Sequence, residues 1–353
     1  MIGYVGRKKA LRPAGLVMMP FVRRMRLGTL ARLSGRRICI PSAGYPAIAL
    51  SGTTVAENLT NGEVMFESLA AAIDEFGLEA DGTVSDLTIE PEACGCEVSL
   101  PDHDTPFVRD HPFAAGMDIG ALEVPDPMRA RRMRAMIDAV AMMSKRFTLP
   151  TVAGGSGPFT LAAELMGASE AAMCTITDKD FMHELLAWCT SVCTVYLKAL
   201  RAAGADVVLI GEPTAVILSP DSFGKFAREP LKSVSSNIRA GGGFPVLHIC
   251  GDSTHLLEGM VATGVDGLSL DSPVDMGAAL DAAGDDVVVI GNVDPVGTML
   301  EGDPAAVAEA ARKLLGKFGD RPNYVLGTGC DLPIETPLEN IDALMAAGGT
   351  TFN

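Results

Sequence analysis

Positive charge, long apolar runs and aromatic rings are all scarce in this sequence, and each scarcity excludes something. No stretch reaches the roughly 18–20 uninterrupted apolar residues of a membrane helix, so no membrane partner is expected. Lys and Arg number 28 against 44 Asp and Glu, a formal charge of −16, which argues against a nucleic-acid binder working by counterion release. The apolar segment nearest the start, Leu16 to Val22, is short, broken by Pro20 and followed by arginines, unlike a signal peptide. Without an export signal, the eight cysteines read as reduced thiols and the expected location is cytoplasmic.

The shortage of basic residues is uneven. Residues 1–37 carry ten Arg or Lys and no acid, so the rest of the chain sets 18 basic residues against 44 acidic ones. This beginning reads as an N-terminal extension over 1–36, either a basic arm for an acidic partner or a solvated segment. The remainder is rich in apolar residues and glycine. A hydrophobic fraction of 48% with 5% aromatics and 38 glycines suits an α/β protein whose strands, covered on both faces, are continuous Val/Ile/Leu runs.

Eight such runs alternate with longer helical patterns: Arg37–Pro41, Gly82–Leu87, Leu149–Ala153, Asp206–Ile210, Pro245–Cys250, Gly267–Leu270, Asp286–Ile290 and Asn323–Leu326. Their spacing leaves room each time for the crossover helix that parallel strands need. Asp303-Pro304 places an N-cap and an N1 proline before one helix, Thr336-Pro337-Leu338-Glu339 reads as a capping box before another, and Gly264 and Gly284 mark helix ends. Glu92–Pro112 lacks periodicity and reads as an elaborated loop. Eight units in one domain-sized chain predict an α/β fold, a single (β/α)8 TIM barrel over residues 37–353. Polar residues then collect at the strand ends that form the catalytic face of such a barrel: Asp86, Gly154–Gly157, Glu212, His248, Cys250, Asp271, Asn292 and Cys330.

The sharpest local pattern is His248-Ile249-Cys250. Residues i and i+2 of a strand share a face, so an imidazole and a thiolate can both point into the barrel and bind one ion. Cys330, after Gly327-Thr328-Gly329 at the eighth strand's mouth, supplies a third donor. Three protein ligands leave one tetrahedral position open, the pattern of a catalytic zinc site, and two thiolates favour zinc over magnesium or calcium. The alternative, a chance H-x-C with two core cysteines, stays open on spacing alone. Other candidates are weaker. Cys94-Gly95-Cys96 lacks a second pair, Cys189 and Cys193 lie on a packed helix face, and Met128, Met133, Met136, Met142 and Met143 read as core filling. Gly154-Gly155-Ser156-Gly157-Pro158 ends in proline where a nucleophile elbow needs glycine. No Gly-Lys-Ser/Thr follows it, so it reads as a turn lining the pocket.

Taken together, several segments resemble the uroporphyrinogen decarboxylase superfamily. They are His248-Ile249-Cys250-Gly251-Asp252, Thr263-Gly264-Val265-Asp266-Gly267, Ile290-Gly291-Asn292-Val293-Asp294-Pro295, Gly329-Cys330-Asp331-Leu332-Pro333, and Thr336-Pro337-Leu338-Glu339-Asn340-Ile341. Within it they resemble the methylcobamide:coenzyme M methyltransferase branch. Gly157-Pro158-Phe159-Thr160-Leu161-Ala162, Leu218-Ser219-Pro220 and Glu92-Ala93-Cys94-Gly95-Cys96-Glu97 are similar to further family segments, and the likeness runs from about residue 38 to the end.

The resemblance implies a zinc ion on His248, Cys250 and Cys330. It also implies transfer of a methyl group from a methylcorrinoid, carried by a transiently bound corrinoid protein, to a small-molecule acceptor: coenzyme M, another thiol or tetrahydrofolate. Zinc in the open position would hold a thiol acceptor as thiolate. Asp86 matches the position where the decarboxylase branch keeps an aspartate facing its tetrapyrrole, and is expected to orient acceptor or corrinoid. Glu212 and Asp271 are expected as partners of His248, so Asp86 and Glu212 are candidates for catalysis, and Gly155, Asp271 and Asn292 for the cofactor pocket. Two rivals remain. One is uroporphyrinogen decarboxylase itself, which the resemblance implies needs no metal and uses an arginine-rich motif absent from Ile40–Pro46 here; the other is a non-catalytic, zinc-stabilised docking partner for a corrinoid protein.

Overall fold

Eight short parallel strands carry the apolar runs: β1 (Cys39–Ile40), β2 (Asp81–Gly82), β3 (Thr151–Ser156), β4 (Val207–Gly211), β5 (Phe244–Ile249), β6 (Gly267–Leu270), β7 (Val288–Val293) and β8 (Tyr324–Thr328). The computed structural model describes residues 38–349, and the basic extension expected over 1–36 lies outside the described residues. β1 pairs with β8, and the ladder then runs through β7, β6, β5, β4 and β3 to β2, parallel throughout. Helices follow the strands in alternation, and the whole is a (β/α)8 barrel.

Alternation along the strands separates two apolar cores. Outward residues such as Leu247, Ile249, Leu268 and Val289 join the surrounding helices in one large buried cluster. Inward residues form a second, smaller cluster around Val207, Val246, Val288, Ile290 and Val325.

β1 and β2, the two ends of the strand order, form no ladder with each other among the described residues. Other contacts bridge this seam. The Cys39 N–H donates to Glu79 Oε2 at 2.8 Å, and the Tyr45 hydroxyl donates to the Ser85 carbonyl at 3.0 Å. Gly44 allows the close approach, since a Cβ there would lie 2.9 Å from Val84 Cα. β2 is shorter than the expected Gly82–Leu87, and the Ser85 carbonyl accepts from Tyr45 rather than from a neighbouring strand.

Other differences have equally local reasons. Gly154 and Gly155 belong to β3 rather than to a turn after it. At Gly155 a Cβ would run into Glu90 Oε1 and come within 3.1 Å of Tyr196 Cε1, so the glycine makes room for a buried carboxyl. The expected capping box at Thr336 does not form, and the helix Leu338–Gly348 starts after Pro337 with no side-chain cap. Glu92–Pro112 contains the end of a helix, Ile89–Ala93, and a small hairpin, Val98–Ser99 with Phe107–Val108. Asp303 does cap its helix, accepting from the Ala306 N–H at 2.8 Å.

Candidate metal centre

β5 turns Val246 and His248 inward, and the chain leaves the strand immediately after Ile249. Gly251 (φ 76°) makes the turn, and its N–H donates to Asp271 Oδ2 at 2.7 Å, which fixes the backbone next to Cys250. Across the barrel, β8 ends at Thr328, and the Gly329 N–H donates to the Val293 carbonyl at 2.8 Å. A side chain at Gly329 would run into the Ser272 backbone nitrogen at 2.6 Å, so glycine brings this loop close and lets Cys330 reach the fifth strand's residues.

The result is a tight cluster. His248 Nε2 lies 3.0 Å from Cys250 Sγ and 3.6 Å from Cys330 Sγ, and the two sulfurs are 3.4 Å apart. Among the described residues, this is the group of His, Cys, Asp and Glu side chains whose donor atoms converge within 4.8 Å. The imidazole's other nitrogen, Nδ1, is 3.0 Å from the Ser269 carbonyl. A carbonyl only accepts, so Nδ1 carries the proton and the Nε2 lone pair faces the sulfurs. That is the tautomer a metal-binding histidine requires, fixed by its outer partner.

Electrostatics favour added positive charge in the cluster. Burial works against a charged His248, but the Cys330 sulfur, the Asp331 carboxylate and the Ser269 carbonyl outweigh it and raise its pKa. The neighbouring Cys250 sulfur, together with burial, pushes the Cys330 thiol well above the ordinary range. Two sulfurs this close resist joint ionisation unless a cation joins them, and a bound metal would displace their protons. An imidazole nitrogen and two sulfurs form a zinc-type donor set with one tetrahedral position to spare, so the residues fit the ion.

The cluster faces a cleft with about 180 Å3 of space open to water, which continues into the barrel interior. Asp86 and Gly155 line it; Glu212, Asp271 and Asn292 do not. The expectation that Glu212 and Asp271 support the His248 imidazole is corrected, because the Ser269 carbonyl holds that place. Glu212 instead caps the helix Pro158–Met166, accepting from the Phe159 N–H at 3.2 Å and from the Thr160 N–H. Burial pushes its pKa up to about 7 against those two donors. Asp271 binds the Gly251 and Ser272 N–H groups, and Asn292 donates to the Asp271 and Val274 carbonyls, each at 3.0 Å. These two tie the loops after β5 and β6 to β7, so their part in the site is to hold its backbone. Asp86 is not free to act as a base, since the buried Arg132 guanidinium pairs with its Oδ2 while Oδ1 accepts from Thr88.

Two features escaped the sequence reading. The first is Arg132, 2% exposed, which lies among other arginines. Its signal was position, for with Met136, Ala139 and Met143 it occupies the buried stripe of the helix Arg131–Arg146. The second is a clamp across the seam. Ser42, after β1, and Ser85, after β2, both donate to Asp331 Oδ1, Ser85 at 3.0 Å. Asp331 follows Cys330 directly, so the clamp anchors the loop that carries the last sulfur. Serines at sequence separations of 289 and 246 from their partner leave no local pattern to read.

Comparison with known proteins adds four likenesses. The uroporphyrinogen decarboxylase (URO-D) family model matches residues 43–350. The methylcobamide:CoM methyltransferase MtaA of Methanosarcina barkeri is 31% identical over 84% of this chain and 87% of its own; a uroporphyrinogen decarboxylase of Coxiella burnetii is 27% identical over 81% of each. A solved methyltransferase from Methanosarcina mazei superposes with a TM-score of 0.82 at 29% identity, over 91% of this chain and 97% of that one.

Proposed function

The chain belongs to the uroporphyrinogen decarboxylase family, and within it we propose that the protein is a zinc methyltransferase, moving a methyl group from a methylated corrinoid to a thiol. We assign residues 37–353 to one catalytic domain, in keeping with the extent of the family match. The observation that carries the reading is the convergence of one imidazole nitrogen and two sulfurs on a cleft at the strand ends. The similarity to a methylcobamide:CoM methyltransferase across most of both chains supports it.

His248, Cys250 and Cys330 would hold the ion, and the Ser269 carbonyl keeps the imidazole in the ligating tautomer. Bound zinc supplies a Lewis acid that keeps a thiol ionised at neutral pH, where a free thiol of pKa about 8.5 is mostly protonated. The Ser42–Asp331–Ser85 clamp and the Gly251–Asp271 bond keep the two sulfur-bearing loops in place, so the acceptor meets a preformed site. The corrinoid, presented by its carrier protein, approaches the open mouth. The acceptor sulfur attacks the methyl carbon in line; the new carbon–sulfur bond forms as the cobalt–carbon bond breaks, and that bond's electron pair leaves with cobalt.

Decarboxylation of a polyanionic porphyrinogen fits less well. No Lys or Arg stands among the described residues lining the cleft, and the Asp86 carboxylate is taken by Arg132. Zinc-loaded protein with methylcobalamin and a thiol is expected to release cob(I)alamin, and Cys330→Ala is expected to fold normally and lose that activity. Undiminished turnover in Cys330→Ala, or conversion of uroporphyrinogen to coproporphyrinogen by metal-free protein, would overturn the reading.

A further inference from the structure

The cleft does not stop at the sulfur and nitrogen donors. Below them it runs between inward residues of the barrel, Val152, Leu209, Val246 and Ile290, and then out through the unpaired seam between β1 and β2. There Leu69, Ala72 and Ile73 of the helix Gly62–Phe76 line the same space. Besides the metal donors, the polar side chains lining it belong to Ser42, Thr83, Ser85, Asp86, Ser269, Thr328 and Asp331, and none is cationic. Two of these are carboxylates, and the nearby Arg132 is already paired with one of them. An anionic tail placed in the channel would lose its water and gain no counter-charge. An apolar tail would bury surface against apolar walls.

Direction adds to this. A corrinoid is too large to enter the barrel and approaches from the mouth, so the body of the acceptor has to lie on the other side of its sulfur, in the channel. Resting on the thiol-methyltransferase reading, we infer that the natural acceptor is a thiol with an uncharged, apolar body that occupies the channel beneath His248 and extends toward Ala72 and Ile73. A sulfonate- or carboxylate-tailed thiol is the wrong class for this space.

The test reads binding separately from turnover. Replacing zinc by Co(II) gives a visible spectrum that changes when a thiol joins the metal. Titrations with ethanethiol, 1-propanethiol, 1-butanethiol, 2-mercaptoethanol and 2-mercaptoethanesulfonate are expected to show about fourfold tightening per added methylene. The sulfonate should bind at least tenfold more weakly than 1-butanethiol. Ala72→Phe, which fills the channel away from the metal donors, is expected to flatten the chain-length series; the wild-type series stands alone if that variant does not fold. Binding of the sulfonate as tight as that of 1-butanethiol, or no dependence on chain length in the wild type, overturns the inference and leaves the methyltransferase reading intact. A spectrum that no thiol alters overturns the thiol-acceptor reading itself, and the inference with it.

Discussion

Removing one partner of the Asp86–Arg132 pair is the perturbation whose consequence the structure specifies most fully. Both side chains are essentially buried, 0% and 2% exposed, and Arg132 also donates to Thr88 Oγ1 at 3.1 Å. Burial lowers the Arg132 pKa to about 10, so the guanidinium remains charged at neutral pH. Asp86→Ala strands that charge with a hydroxyl and the half-buried Glu92, 3.5 Å away, as its remaining partners. Breaking a buried pair in this way costs about 3–5 kcal/mol. The cleft beside Asp86 admits water, which places the expected loss near the lower end. Arg132→Met alone leaves a buried carboxylate and should cost a similar amount. The double variant Asp86→Leu/Arg132→Met should recover much of the loss, because no isolated charge is left behind. Urea unfolding of zinc-loaded protein at pH 7 measures all three. Single-variant losses below about 1 kcal/mol, or strictly additive ones, would show that the pair is not the structural element described here. Loss of methyl transfer in Asp86→Ala without loss of stability would return Asp86 to a catalytic role.

Other expectations rest on the same kind of contact. Burial pushes the Glu90 pKa up to about 7, against the opposing bond from the Ser156 N–H. A carboxyl whose folded pKa lies above its unfolded value contributes stability below the unfolded pKa and loses it as pH rises through the folded one. Wild-type protein should therefore lose about 3 kcal/mol relative to Glu90→Gln between pH 4.5 and pH 8; parallel stability–pH curves for the two proteins would contradict it. Gly155→Ala should destabilise by about 1–3 kcal/mol, because its methyl group meets Glu90 Oε1, and thermal unfolding with an unchanged midpoint would refute this. Zinc binding at pH 7, followed by calorimetry in buffers of different ionisation enthalpy, should release about two protons, one per thiol; release of none would mean that Cys250 and Cys330 do not both ligate.

The barrel was legible because buried parallel strands announce themselves as short apolar runs. Gly267–Leu270 falls where it was expected, and the other strands shift by a few residues. The convergence of His248, Cys250 and Cys330 was legible for a related reason: His248 lies near a strand end, Cys250 just past it, and Cys330 just past another. Supporting residues were not, because their partners are remote in sequence. Nothing near Glu212 indicates that its carboxylate caps a helix starting at Pro158, and nothing near Ser42 indicates Asp331. The Thr336 pattern failed as a capping box because Pro337 fixes the backbone ahead of the helix and Thr336 is buried. Arg132 alone could have been found, as a charge on an otherwise apolar helix stripe.

Zinc-dependent methyl transfer to a thiol requires His248, Cys250 and Cys330 to share one ion with a vacancy for the acceptor sulfur. X-ray absorption at the zinc edge of the loaded protein tests this most directly. It should give two sulfur neighbours at about 2.3 Å and nitrogen or oxygen at about 2.0–2.1 Å, with a third sulfur appearing when a thiol acceptor is added. A shell of nitrogen and oxygen alone, or a sulfur count that does not change on adding any thiol, would contradict it.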